Sequence, residues 1–141
     1  MISNCASESG GSSGIMAISM TKQYPGQVSQ VMNAAWGLGK GLGKFTIVVD
    51  GDIDIRDPFA LEWAMSFRVQ PEKDCWIVPN MPAQGLDPSQ APVSVPQHDP
   101  SRRISSLLAI DATRSHDYPP LALPPREHLE YVDANWRKYG F

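Results

Sequence analysis

The chain has 141 residues, a length that fits one domain and allows burial of about two-thirds of the unfolded surface. A net charge of -3 with no basic patch argues against nucleic acid as a main partner. The longest apolar runs fall far short of the roughly 18 residues a membrane span needs.

Met1 to Gly14 is polar and rich in Ser and Gly, with no basic stretch followed by an apolar one. Residues 1–13 therefore read as a flexible N-terminal arm, and 14–141 as the folded domain. Gly14 to Met20 reads as a short buried strand. Tyr24-Pro25-Gly26 is turn chemistry. Val28, Val31, Met32, Ala35 and Trp36 then recur at helical spacing, which predicts a helix over Gln27 to Trp36. The glycines at 37, 39, 41 and 43 form a connector into a second strand, Phe45 to Val49.

Four aspartates follow that strand: Asp50, Asp52, Asp54 and Asp57. Pro58 suits the first position of a helix, with Asp57 as its N-cap. Leu61, Ala64, Met65 and Phe67 continue that helix to about Val69, because Pro71 disfavours helix at Gln70. Cys75 to Val78 reads as a third strand, stopped by Pro79. Asn80 to Arg103 is a long Pro-rich loop of the kind that is often functional or partner-facing. Ile104 to Ile110 reads as a fourth strand, Tyr118 to Pro125 as extended, and Arg126 to Lys138 as an amphipathic helix with Leu129, Val132 and Trp136 on one face. The alternation of strand and helix predicts a three-layer α/β/α fold around a small mixed, largely parallel sheet.

Several chemistries fail on spacing. A phosphate loop needs Gly, four residues, then Gly-Lys-Ser/Thr leading into a helix. Here Leu38 stands five before Gly43, and Lys44 is followed by Phe45, the start of a strand. The aspartates open like an EF-hand, but Ile55 stands where that loop needs Gly, and Leu61 where it needs Glu. The preferred reading is a structural corner of Asp50, Asp52, Asp54, Arg56 and Asp57. In it Asp57 caps the helix, Arg56 pairs with a carboxylate, and Ile53 and Ile55 face the core. His98, His116 and His128 share no metal-ligand spacing. Cys5 and Cys75, with no CxxC, suit reduced thiols in a cytoplasmic protein. No catalytic or metal residue emerges.

A set of segments nevertheless resembles the C-terminal domain of the UbiD family of decarboxylases. They are Lys22 to Gln27, Val48 to Pro58, Glu62 to Ala64, Phe67 to Asp74, Leu86 to Ser89 and Ile110 to Thr113, in order and over nearly the whole chain after Gly14. Gly51 departs from the pattern, since the family usually carries an acidic residue there. The wording is most similar to members acting on hydroxylated aromatic acids. The resemblance implies reversible decarboxylation of aromatic or α,β-unsaturated acids with prenylated FMN, a divalent metal and potassium. It places that cofactor and the catalytic network in a preceding domain, so no catalytic or cofactor-binding residue is expected on this chain. The implied role is cleft closure and assembly, as a C-terminal part or small subunit. The alternative is a non-catalytic interaction module that kept the domain fold.

Loop 80–103 is the expected cleft- or partner-facing surface, with Met81, Leu86, Arg102 and Arg103 as its contacts. The resemblance also implies further sheet before Gly14. Gly14 to Met20, or a neighbouring strand, is then expected to be an open edge, completed by self-association or by a separate cofactor-domain subunit.

Overall fold

The computed structural model describes residues 2–6, 14–39, 43–83, 87–96, 98–119 and 122–140. Five strands form one sheet: β1 (Ile2–Ala6), β2 (Ile15–Met20), β3 (Phe45–Asp50), β4 (Cys75–Pro82) and β5 (Ile104–Ala112). Their spatial order is β1-β2-β3-β5-β4. The central three run parallel, with Ile18 opposite Val48 and Val48 opposite Asp111. The two outer strands, β1 and β4, run antiparallel to their neighbours.

Helices cover both faces, as the alternation of elements predicts. Side chains alternate across a strand, so each face of the sheet collects every second residue. Met16, Ile18, Met20 and Val48 pack with Val28, Val31, Met32 and Trp36 of helix α1 (Gln27–Gly37). Ala17, Ile47 and Val49 pack on the other face with Ile53, Ile55 and Ala64, the last from helix α2 (Pro58–Arg68). The result is three layers, with β2 and β3 buried between them except at their first residues and at Asp50, and β5 partly so.

One glycine of the connector is fixed by space. Gly43 has φ +63°, and a Cβ there would lie 2.5 Å from Thr46 Oγ1 and 2.7 Å from Met16 Cε. Thr46 is fully buried. Its hydroxyl donates to the Gly43 carbonyl at 2.8 Å and accepts from the Trp36 indole N–H at 2.9 Å. This chain of two bonds satisfies the polar atoms on the α1 face.

Several expectations are corrected. Residues 2–6 lie in the stretch read as a flexible arm, yet they form β1, paired from Ile2 opposite Met20 to Ala6 opposite Ala17. Backbone pairing supplies the order there, and composition does not report it. Of the two strands expected as an edge, β2 is interior and its neighbour β1 takes the edge position. Pro79 does not stop β4. The strand runs to Pro82 with a register shift between Val78 and Met81, where Asn80 adopts φ 58°. Proline is tolerated because β4 is an edge strand and the bulge absorbs the missing N–H. The loop expected from Asn80 begins only after Pro82, and a short helix α3 (Pro71–Asp74) precedes β4. Helix α4 (Arg126–Ala134) continues as a 3-10 turn over Trp136–Tyr139, and no residue of α4 is buried.

Candidate functional site

The carboxyl ends of β3 and β5 lie side by side, and there the chain gathers charge. Asp50 ends β3, and a turn follows in which Ile53 N–H donates to the Asp50 carbonyl at 3.1 Å. Ile53 and Ile55 point into the core from this turn. Asp54 Oδ1 accepts the Arg56 N–H at 2.9 Å, and Asp57 Oδ1 accepts the Phe59 N–H at 3.0 Å as the α2 N-cap. The turn is thus built by short side chains bonding to nearby backbone, which is what Asp does best outside helices.

The centre of the cluster is Arg68, at the C-terminal end of α2. Its side chain is 1% exposed. The guanidinium meets Asp52 at two points, Nη1 to Oδ1 at 3.0 Å and Nη2 to Oδ2 at 2.7 Å. It also donates to Asp50 Oδ2 at 3.3 Å. Its plane lies 5.3 Å from the Trp63 ring, and Trp63 in turn stacks obliquely on Phe67 at 5.5 Å. A cation at the last turn of a helix also meets the negative end of the helix dipole.

A second arginine closes the group. Arg114 Nη2 donates to Asp52 Oδ2 at 2.6 Å, and its backbone N–H donates to Asp50 Oδ2 at 2.7 Å. Lys22, after β2, donates to Thr113 Oγ1 at 2.8 Å and to the Arg114 carbonyl at 2.9 Å. Thr113 donates on to Asp111 Oδ1 from both its hydroxyl and its N–H. Three strand ends and one helix are therefore tied by ionic hydrogen bonds, which are stronger than neutral ones.

The electrostatics follow from the contacts. The Arg68 hydrogen bond holds the Asp52 carboxyl below its ordinary range, against a smaller opposing effect of burial. The same bond raises Arg68. Three carboxylates, Asp50, Asp52 and Asp111, offset Arg68, Arg114 and Lys22, so the formal charges of the cluster balance. Among the described residues there is no group of three His, Cys, Asp or Glu placed to hold a metal. Burial, with help from Asp74, pushes the Cys75 thiol up, so it stays protonated at neutral pH and makes a poor nucleophile.

The structure distributes the sequence-predicted residues as follows. Asp50 and Asp52 meet in the cluster; Asp54 and Asp57 serve the turn and the cap. Arg56 is exposed and contributes its backbone N–H, while the carboxylate-pairing role falls to Arg68 and Arg114. Met81 is half-buried in β4 against the α1-side core. Arg102 donates to the carbonyls of Val95 and Pro92, so its guanidinium ties the Pro-rich loop to itself. Arg103 is exposed, and Leu86 lies outside the described residues. Lys44 reaches the same loop, donating to Asp87 at 2.9 Å and to Ser89.

Sequence reasoning missed Arg68 and Arg114 as members of this group. A signal existed for Arg68. It lies four residues after Ala64 on the core-facing stripe of α2, where a cation needs a buried anionic partner. Phe67, read as part of that stripe, is 66% exposed instead. Away from the cluster, an open groove of about 400 Å³ runs along α4, lined by Leu129, Glu130, Val132, Asp133 and Trp136.

Comparisons with known proteins agree on the fold and its lineage. A family profile described as 3-octaprenyl-4-hydroxybenzoate carboxy-lyase C-terminal domain matches residues 3–112. An uncharacterized protein of Aeropyrum pernix is 33% identical over 135 residues, spanning 90% of this chain and 26% of its own length. Among solved structures, the UbiD-class enzyme HmfF from Pelotomaculum thermopropionicum, in complex with FMN, superposes with a TM-score of 0.66 at 27% identity, covering 84% of this chain and 25% of that one. Vanillic acid decarboxylase of Sedimentibacter hydroxybenzoicus in closed form gives 0.67 at 25% identity, covering 88% and 26%. Its open form gives 0.62 at 25% identity, covering 89% and 27%. The chain thus spans about a quarter of the length of these relatives.

Proposed function

We propose that this chain, which belongs to the UbiD family through its carboxy-lyase C-terminal domain, is the closing and assembling portion of a UbiD-type carboxy-lyase. The reaction is the reversible decarboxylation of aromatic acids, with hydroxylated ones as the favoured class. Prenylated FMN, with its divalent metal and potassium, supplies the chemistry from polypeptide outside these residues.

Proportion is the observation that carries this reading. The family match runs through residues 3–112, yet the chain spans about a quarter of its relatives. The described residues do not fit the cofactor. A flavin phosphate needs an anion cradle, whereas the α4 groove is lined by the carboxylates of Glu130 and Asp133. The cationic cluster is already matched by Asp50 and Asp52. No catalytic step is therefore assigned to these residues.

Two further observations support the role. The related vanillic acid decarboxylase occurs in closed and open forms. Here α4 and the 3-10 turn after it expose Leu129, Val132 and Trp136, an apolar stripe suited to packing on another copy or on a cofactor-domain subunit. The half-buried, protonated thiol of Cys75 suits a cytoplasmic setting. No helix among the described residues is long and apolar enough to cross a membrane.

Native mass spectrometry of the chain, co-expressed with a flavin prenyltransferase, tests the proposal. A bare chain in a dimer or larger assembly is the expected result. Bound prenylated FMN overturns it and makes the chain an enzyme in its own right.

A further inference from the structure

Arg114 is exposed at its side chain, yet charged groups hold it at three separate points. Asp50 accepts its backbone N–H, Asp52 accepts its guanidinium, and the Lys22 ammonium donates to its carbonyl. A surface arginine usually makes one weak, screened contact. Three ionic hydrogen bonds to one residue, two from the end of β3 and its turn and one from the segment after β2, form a clamp. Its position is equally specific. Thr113, one residue earlier, is buried as the end of the sheet, whereas Ser115, His116 and Asp117 are exposed. Beyond the clamp the contacts become local. The Ser115 hydroxyl meets His116 Nδ1 at 2.8 Å, and the His116 ring meets Tyr118 edge-on at 4.6 Å. Tyr118 is half-buried. Arg114 shares Asp50 and Asp52 with Arg68, so the segment 114–118 starts beside the buried guanidinium, on the path towards α4.

We propose that Arg114 is an electrostatic latch that pins the segment 114–118 beside the buried Arg68, and so sets where the chain leaves the sheet towards α4. Closing the latch neutralises the one carboxylate charge that Arg68 alone leaves unmatched on the Asp50–Asp52 pair. Opening it gives the segment room to move while the sheet and α2 stay folded, because Arg68 still spans Asp50 and Asp52. The latch is intramolecular and does not depend on what α4 docks against.

Hydrogen exchange of the intact chain read by mass spectrometry tests this, comparing the native sequence with Arg114→Ala and Arg114→Lys. Arg114→Ala should speed exchange in peptides covering residues 113–118 by about fivefold, with β3 and α2 unchanged. Arg114→Lys should recover part of the protection. Raising salt from about 0.05 M to about 1 M should speed exchange there more in the native chain than in Arg114→Ala, which keeps only the backbone bonds to Asp50 and Lys22. Unchanged exchange at 113–118 in Arg114→Ala overturns the latch. An equal rise in every peptide also overturns it, because Arg114 would then be supporting the whole fold.

Discussion

Arg68 and Asp52 face each other as a two-point pair of unequal exposure: the guanidinium side chain is 1% exposed and the carboxylate side chain 42%. Desolvation therefore falls mainly on the arginine, and that asymmetry decides what each substitution does. Removing the carboxylate strands a buried cation, which is the more costly error. Asp52→Asn should destabilise the fold by about 2 kcal/mol, and Arg68→Met, which fills the same volume without charge, should cost less. Urea denaturation of both variants measures this, and the reverse order would refute the argument.

Gly43 supports a paired prediction. Gly43→Ala should cost about 2 kcal/mol or more, because alanine must adopt φ +63° and its Cβ would strike Thr46 Oγ1. The displaced hydroxyl would also release the Trp36 indole. Gly37→Ala, where a Cβ meets nothing within 4 Å, should be neutral or slightly stabilising. Thermal melts followed by tryptophan fluorescence compare the two. Equal effects would refute the steric account.

Asp87 provides a pH signature. Lys44 first, then Ser89, lower its carboxyl to about 2. A depressed folded value means the stabilisation is complete above the unfolded carboxyl value of about 3.9, and is lost as pH falls towards about 2. Partial exposure of the pair limits its worth to about 1 kcal/mol. Asp87→Asn should therefore be less stable than the native chain at pH 6, and the gap should narrow below about pH 4 and close as pH falls through about 2. A gap independent of pH would point to packing instead of charge.

The α4 stripe should matter for assembly and not for the fold. Leu129 and Trp136 are 45% and 51% exposed. Leu129→Lys and Trp136→Ser should shift sedimentation towards smaller species and leave the melting temperature within about 2 °C. A large drop in melting temperature with no change in association would place this helix in the core.

The central strands and the two covering helices were legible because their apolar periods are strong. Val28, Val31, Met32 and Trp36 declare α1, and the Phe45 to Val49 run declares β3. Strand β1 was not legible, since an edge strand depends on backbone pairing that Ile-Ser-Asn-Cys-Ala does not advertise. The course of β4 was hidden by Pro79, which stops an interior strand but not an edge with a bulge. At the charged cluster, local chemistry at Asp54 and Asp57 could be read from neighbours in sequence. The bonds from Arg68 and Arg114 span 16 and 62 residues, and no local pattern encodes them.

The prolines of β4 have one more consequence. Two of its eight residues, Pro79 and Pro82, offer no N–H, and Asn80 turns the backbone out of strand geometry. A foreign strand arriving at that side finds a broken ladder. The opposite side of the sheet ends at β1, where every residue from Ile2 to Ala6 carries an N–H. The sheet is thus polar in its capacity to grow. Among the described residues, a neighbour that adds a strand finds its usable side at β1, and two copies pairing antiparallel there would be related by a twofold axis between their β1 strands.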